Sequence, residues 1–133
     1  MAFYKHDWYF DPTDHRCPHD AWLDSICISE VASGARQEVR VTKIIIRLLG
    51  AYHDGYISLM YSNVHEYYLD SSSLVSGHGD WVSDDISSED SRVYHNIRWS
   101  GGIKGPITWR IVAESVSFAW DPIISSQSIH NQL

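Results

Sequence analysis

Between Arg47 and Arg92 the chain has no lysine or arginine, while the same stretch holds Asp54, Glu66, Asp70, Asp80, Asp84, Asp85, Glu89 and Asp90. That segment contributes −8 and the rest of the chain +1, giving the net charge of −7. A surface of that sign repels phosphate backbones and anionic lipid, so a nucleic-acid or membrane-surface role is not expected; a basic protein partner is compatible with it. Cysteine is also scarce. Cys17 and Cys27 are the only two, too few for a disulfide framework in a chain long enough to build its own core, and both are expected to be reduced. No uncharged apolar run approaches the ~20 residues a membrane span needs, and MAFYKHDWYF has no signal-peptide apolar stretch, so a cytoplasmic location is expected. G-x-S-x-G, C-x-x-C and a phosphate-cradling glycine loop ahead of a helix are missing as well, which removes the usual sequence grounds for an enzyme.

No segment sustains a 3.6-residue apolar period, whereas two-residue alternation recurs. The organising stretch is Glu38 to Ser62, two runs of β-branched and aromatic residues around Gly50, Asp54 and Gly55, which are expected to supply the positive φ and turn chemistry of a hairpin. Ile44, Ile46 and Leu48 share one face; Val39, Val41, Ile45 and Leu49 share the other, so this strand belongs inside a sheet. Residues 3–10 are aromatic enough for a strand that stops at Asp11-Pro12. From Ala21 a second strand is expected, with Trp22, Asp24, Ile26 and Ile28 on one side and Ile26 and Ile28 inward. Val64, Tyr67 and Tyr68 fit either a strand or one short helical turn. Asp80 to Asp90 reads as an exposed acidic connection, in which replacing Asp84 and Asp85 with Asn is expected to leave thermal stability unchanged or slightly higher. Val93, His95, Ile97 and Trp99 alternate along a good strand, and Ile107 to Trp120 forms the last one, followed by a loosely ordered tail over residues 121–133 in which Ile123 and Ile124 can dock. The fold class is therefore all-β: residues 1–133 as a single antiparallel β domain, either a sandwich or a strongly curved sheet.

Chemistry concentrates in two places. Asp11 to Asp20 contains His15, Cys17 and His19, donors that suit Zn²⁺, although H-x-C-x-H is not a standard spacing and turn or capping roles compete for the aspartates. The acidic segment supplies Asp80, Trp81, Asp84, Asp85, Glu89 and Asp90 as candidate binding residues. Trp22 joins them because Trp22 and Trp81 stand next to polar loops, whereas Trp99, Trp109 and Trp120 sit in strands where a core favours an aromatic.

Four motifs carry a resemblance: His19-Asp20 ahead of Trp22 to Ile28, Gly79-Asp80-Trp81 with Asp84-Asp85, His95-x-Ile97-x-Trp99-Ser100-Gly101, and Ile107 to Trp120. In this pattern the chain resembles a widespread group of small bacterial β proteins, some of which look like immunity proteins of toxin systems. The resemblance implies a β fold and a binding function. The leading expectation is thus a non-enzymatic protein-binding domain of immunity type that uses an acidic surface. The alternatives are a small metal-dependent hydrolase centred on residues 11–20, with zinc as its cofactor, and a sugar-binding β-module.

Overall fold

The computed structural model describes residues 1–124. Six strands, β1 (Trp22–Ser33), β2 (Val39–Leu49), β3 (Gly55–Leu69), β4 (Trp81–Glu89), β5 (Arg92–Trp99) and β6 (Ile107–Pro122), form one antiparallel sheet in the order β1-β2-β3-β6-β5-β4. Two three-stranded meanders are thereby joined through β3 and β6, whose register runs from Gly55 opposite Pro122 to Leu69 opposite Trp109. The outermost strands, β1 and β4, meet at one end. Trp22 bridges to Asp80, the Trp81 amide donates to the Ala21 carbonyl (3.0 Å) and the Asp20 amide donates to that of Trp81 (2.9 Å). A six-stranded sheet can bring its two edges together only by curling, so the architecture is the curved sheet and not the sandwich; closure stops at this seam.

The core lies on the concave face. Ile44, Ile46 and Leu48 of β2 are fully buried there against Ile57, Leu59 and Tyr61 of β3 and Ile107, Trp109 and Ile111 of β6. β2 has a neighbour on each side, as its apolar character on both faces requires. In the β2–β3 turn the left-handed residue is His53 (φ 58°), not Gly50 or Gly55. Gly55 is needed for a different reason: a side chain there would overlap the Trp120 indole, which lies across its α-carbon.

Three segments depart from the sequence expectation. Residues 3–10 form two 3₁₀ turns, Phe3–Lys5 and Asp7–Phe10, not a strand. Their amides are satisfied locally, for example Lys5 by Ala2 (3.0 Å) and Tyr9 by His6 (3.2 Å), and Phe3 and Trp8 pack on Phe118 at 5.3 and 4.9 Å between ring centroids. The aromatics reflect burial and not extension, because this segment plugs the concave face. Asp80 to Asp90 is mostly strand: β4 pairs with β5 along its length, with Asp84 opposite Ile97 and Ile86 opposite His95, and that pairing overrides poor strand propensity. In β1, an irregularity between Leu23 and Ser25 shifts the parity. Trp22, opposite Leu49, consequently faces the convex side, while Ile26 and Ile28 face inward opposite Ile46 and Ile44, with Ile28 left partly exposed.

Val64, Tyr67 and Tyr68 lie in β3, so the alternative of a helical turn is not realised. β6 takes in Asp121 and Pro122; the Ile123 amide then donates to the Asp54 carbonyl (2.8 Å), though Ile123 and Ile124 stay exposed. The remainder of the expected tail, residues 125–133, lies outside the described residues.

Candidate functional site

The seam creates a cleft. Its wall on one side is Trp22 and Leu23 at the start of β1, and on the other the loop from Ser76 to Asp80, around a volume of about 420 Å³. Trp22 is 48% exposed, yet its ring is fixed: the indole N–H donates to Asp80 Oδ1 (2.6 Å), and the His53 ring lies 4.7 Å away. The loop is held as firmly. Gly101 donates to the His78 carbonyl (2.8 Å), the Asp80 amide donates to Ser100 Oγ (2.8 Å), and Ser100 returns a bond to the Asp80 carbonyl (2.9 Å). Gly79 (φ 76°) admits no side chain, since a Cβ would strike Ser100 and Gly101. His78 packs edge-on to Trp109 and Trp99 at 5.1 and 6.0 Å, and burial holds its pKa below the ordinary histidine value. The neutral imidazole therefore offers one donor and one acceptor at neutral pH. An indole face, a carboxylate and a neutral imidazole on a rigid frame suit a binding site.

A second polar cluster is buried on the concave face. Strand parity turns His95 inward with Ile97 and Trp99, and the irregularity between Trp81 and Ser83 turns Asp84 inward as well. Asp84 Oδ2 accepts from the Tyr9 hydroxyl and from His95 Nε2, both at 2.7 Å, while His95 Nδ1 meets the Tyr61 hydroxyl at 2.7 Å. Because the carboxylate can only accept, Nε2 donates to it, and Nδ1 shares a hydrogen bond with the Tyr61 hydroxyl whose direction follows the state of the imidazole. His95 is fully enclosed. The chain of bonds ties the N-terminal plug to β4, β5 and β3, and no substrate can reach the imidazole. Burial first, and the Asp84 charge second, push the Tyr9 and Tyr61 phenols well above their ordinary value of 10.0. Their contribution to stability is complete below that value and is lost as pH rises beyond it. The urea midpoint should accordingly fall above pH 10, and more shallowly in Tyr61→Phe, which has one ionisation fewer; an unchanged slope would mean that Tyr61 does not resist ionisation in the fold.

The sequence candidates divide accordingly. Trp22 and Asp80 are brought together in the seam cleft. Trp81 is not a surface anchor: it is 1% exposed and packs edge-on against Trp99 at 5.7 Å. Asp84 is not a loop carboxylate, because its side chain is only 9% exposed. Asp85 is at the surface, bonded to Arg98 at 2.9 Å, and Glu89 and Asp90 occupy the tight β4–β5 turn, where Asp90 and Ser91 both have positive φ. His15, Cys17 and His19 go separate ways. His15 pairs with Asp54 and stacks on Tyr52 at 4.1 Å, the buried Cys17 thiol donates to the Tyr9 carbonyl (3.1 Å), and His19 sits 3.2 Å from Asp20. Burial raises the Cys17 pKa, which disfavours the thiolate a metal would need. Among the described residues no three His, Cys, Asp or Glu side chains converge on a point that could hold an ion.

Sequence reasoning missed the roles of Tyr9, Tyr61 and His95. The available signal was His95 itself, a polar residue in the apolar row of Val93, Ile97 and Trp99, which demands buried partners. Nor do relatives add a role: no family model, curated protein or solved structure matches this chain.

Proposed function

We propose that the chain is a non-enzymatic protein-binding domain that takes its partner at the seam, with Trp22 as the anchor. The observation that carries this reading is the 2.6 Å bond from the Trp22 indole to Asp80, which immobilises a half-exposed aromatic ring in a cleft before anything binds. A ring already fixed loses little conformational entropy on association, and fixed tryptophans are the side chains that dominate protein interfaces. Charge favours a basic partner. The chain carries a net charge of −7, Asp80 stands in the cleft itself, and Glu89 and Asp90 at the far end of β4, with Arg92 opposite Glu89, form no close ion pair among the described residues. In its immunity-type form this reading makes the partner a basic toxin domain.

The same geometry supports one other reading, a sugar-binding module, because a planar ring beside a carboxylate and a glycine-lined loop suits a pyranose stacked on the indole. A photo-crosslinking residue at Ser76, within the cleft wall, separates the two when combined with a glycan array. The protein-binding reading expects a crosslinked protein that is lost in Trp22→Ala and Asp80→Asn, with capture weakening as salt is raised. A glycan retained by the native protein and lost in Trp22→Ala, with no crosslinked protein, would overturn it.

A further inference from the structure

A second, smaller cleft of about 190 Å³ opens beside the N-terminal plug and shares no lining residue with the seam cleft. Asp84 forms part of its wall, and the remainder is mostly apolar or aromatic, with Cys17, His19 and Ser83 as its other polar side chains. The carboxylate is more than nine-tenths buried, and Oδ2 is fully engaged by Tyr9 and His95. Oδ1 has no hydrogen-bond donor among the described residues. It is not sealed either, because the sealed, unpartnered side-chain polar atoms there are Asp54 Oδ1 and Trp99 Nε1. Asp84 Oδ1 is therefore a free acceptor at the cleft surface. No Lys or Arg among the described residues pairs with Asp84; Arg98, opposite Ser83 on β5, is bonded to Ser83 and Asp85.

A carboxylate without a lysine or arginine counter-ion, set in an apolar and aromatic cleft, is matched by a cation with an apolar body. A metal ion is a poor match, since no three donor side chains converge here. We propose that this cleft binds a primary ammonium on an alkyl stem, either a lysine side chain or a small aliphatic amine, with Asp84 Oδ1 as its counter-ion. The ammonium satisfies Oδ1 with a charge-assisted hydrogen bond, and the stem lies across the exposed apolar surface of Phe10, Pro12 and Val82. This site stands independently of the seam reading, and either can fail alone.

The test is a titration of the full chain, followed by amide correlation NMR, with n-butylammonium, Nα-acetyl-lysinamide and, as the uncharged control, n-butanol. Saturable shifts at Trp81 to Asp84 and at Cys17 and His19 are expected with n-butylammonium and not with butanol. Binding in Asp84→Asn should be weaker by about tenfold or more, the worth of a hydrogen bond to a charged group. A response to n-butylammonium alone assigns the cleft to free amines, and a response to both cations extends it to lysine side chains. Absence of saturable shifts, an equal response to butanol, or unaltered affinity in Asp84→Asn would overturn the proposal. If Asp84→Asn does not fold, Phe10→Ala serves in its place, because the Phe10 ring is exposed and its loss keeps the carboxylate. It should weaken binding several-fold, and undiminished affinity there would count against the site.

Discussion

Replacing Asp84 with alanine should lower the free energy of unfolding by about 2 to 6 kcal/mol, since it strands two buried donors at about 1 to 3 kcal/mol each. The expectation rests on what is left behind. Without the carboxylate, the Tyr9 hydroxyl and His95 Nε2 lose their acceptor, and His95 has no access to water. Asp85→Asn, one residue along, should change stability by at most about 1 kcal/mol, because the Asp85–Arg98 pair is solvent-exposed. Urea unfolding of both variants, treated as two-state, reads the contrast directly. A loss below about 1 kcal/mol in Asp84→Ala would mean that the cluster is solvated or already has other partners. Combining Asp84→Ala with Tyr9→Phe should cost less than the sum of the two single losses, since both remove the same bond.

The contrast between Asp84 and Asp85 shows where sequence reading stops. An acidic run of ordinary polar residues reads as a solvated loop, because nothing in Asp80 to Asp90 announces a strand. Its strand character comes from β5, whose alternation of Val93, His95, Ile97 and Trp99 was legible, and a strand of that quality recruits a partner. The irregularity after Trp81 then decides which acid points inward, and a one-residue shift of parity has no signature in composition. The shift at Leu23 and Ser25 acts in the same way on Trp22, turning it to the convex face, where it can close the seam with Asp80. The core rows of β2, β3 and β6 were readable because long apolar alternation survives such slips. The plug was not, since Phe3, Trp8 and Tyr9 have the same composition whether they pair as a strand or pack as 3₁₀ turns.

Trp81 and Trp22 were indistinguishable in the sequence, and their alanine variants should now separate by about 2 to 4 kcal/mol. Trp81 is enclosed, packs edge-on against Trp99 at 5.7 Å, and lies as close to the His95 ring. Its backbone also makes the two seam bonds, to Ala21 and Asp20. Deleting the ring leaves a cavity under the seam, and tryptophan-to-alanine changes in cores cost about 3 to 5 kcal/mol. Trp22 is half-exposed on the convex side, so its removal forfeits one hydrogen bond and a little buried area, worth about 1 kcal/mol. Trp22→Ala should therefore keep a cooperative transition close to that of the native protein while losing whatever binds at the seam. Trp81→Ala should lower the urea midpoint sharply and lose seam binding only because the frame itself loosens. Equal destabilisation by both would place Trp22 in the core and remove the preformed anchor on which the binding reading depends.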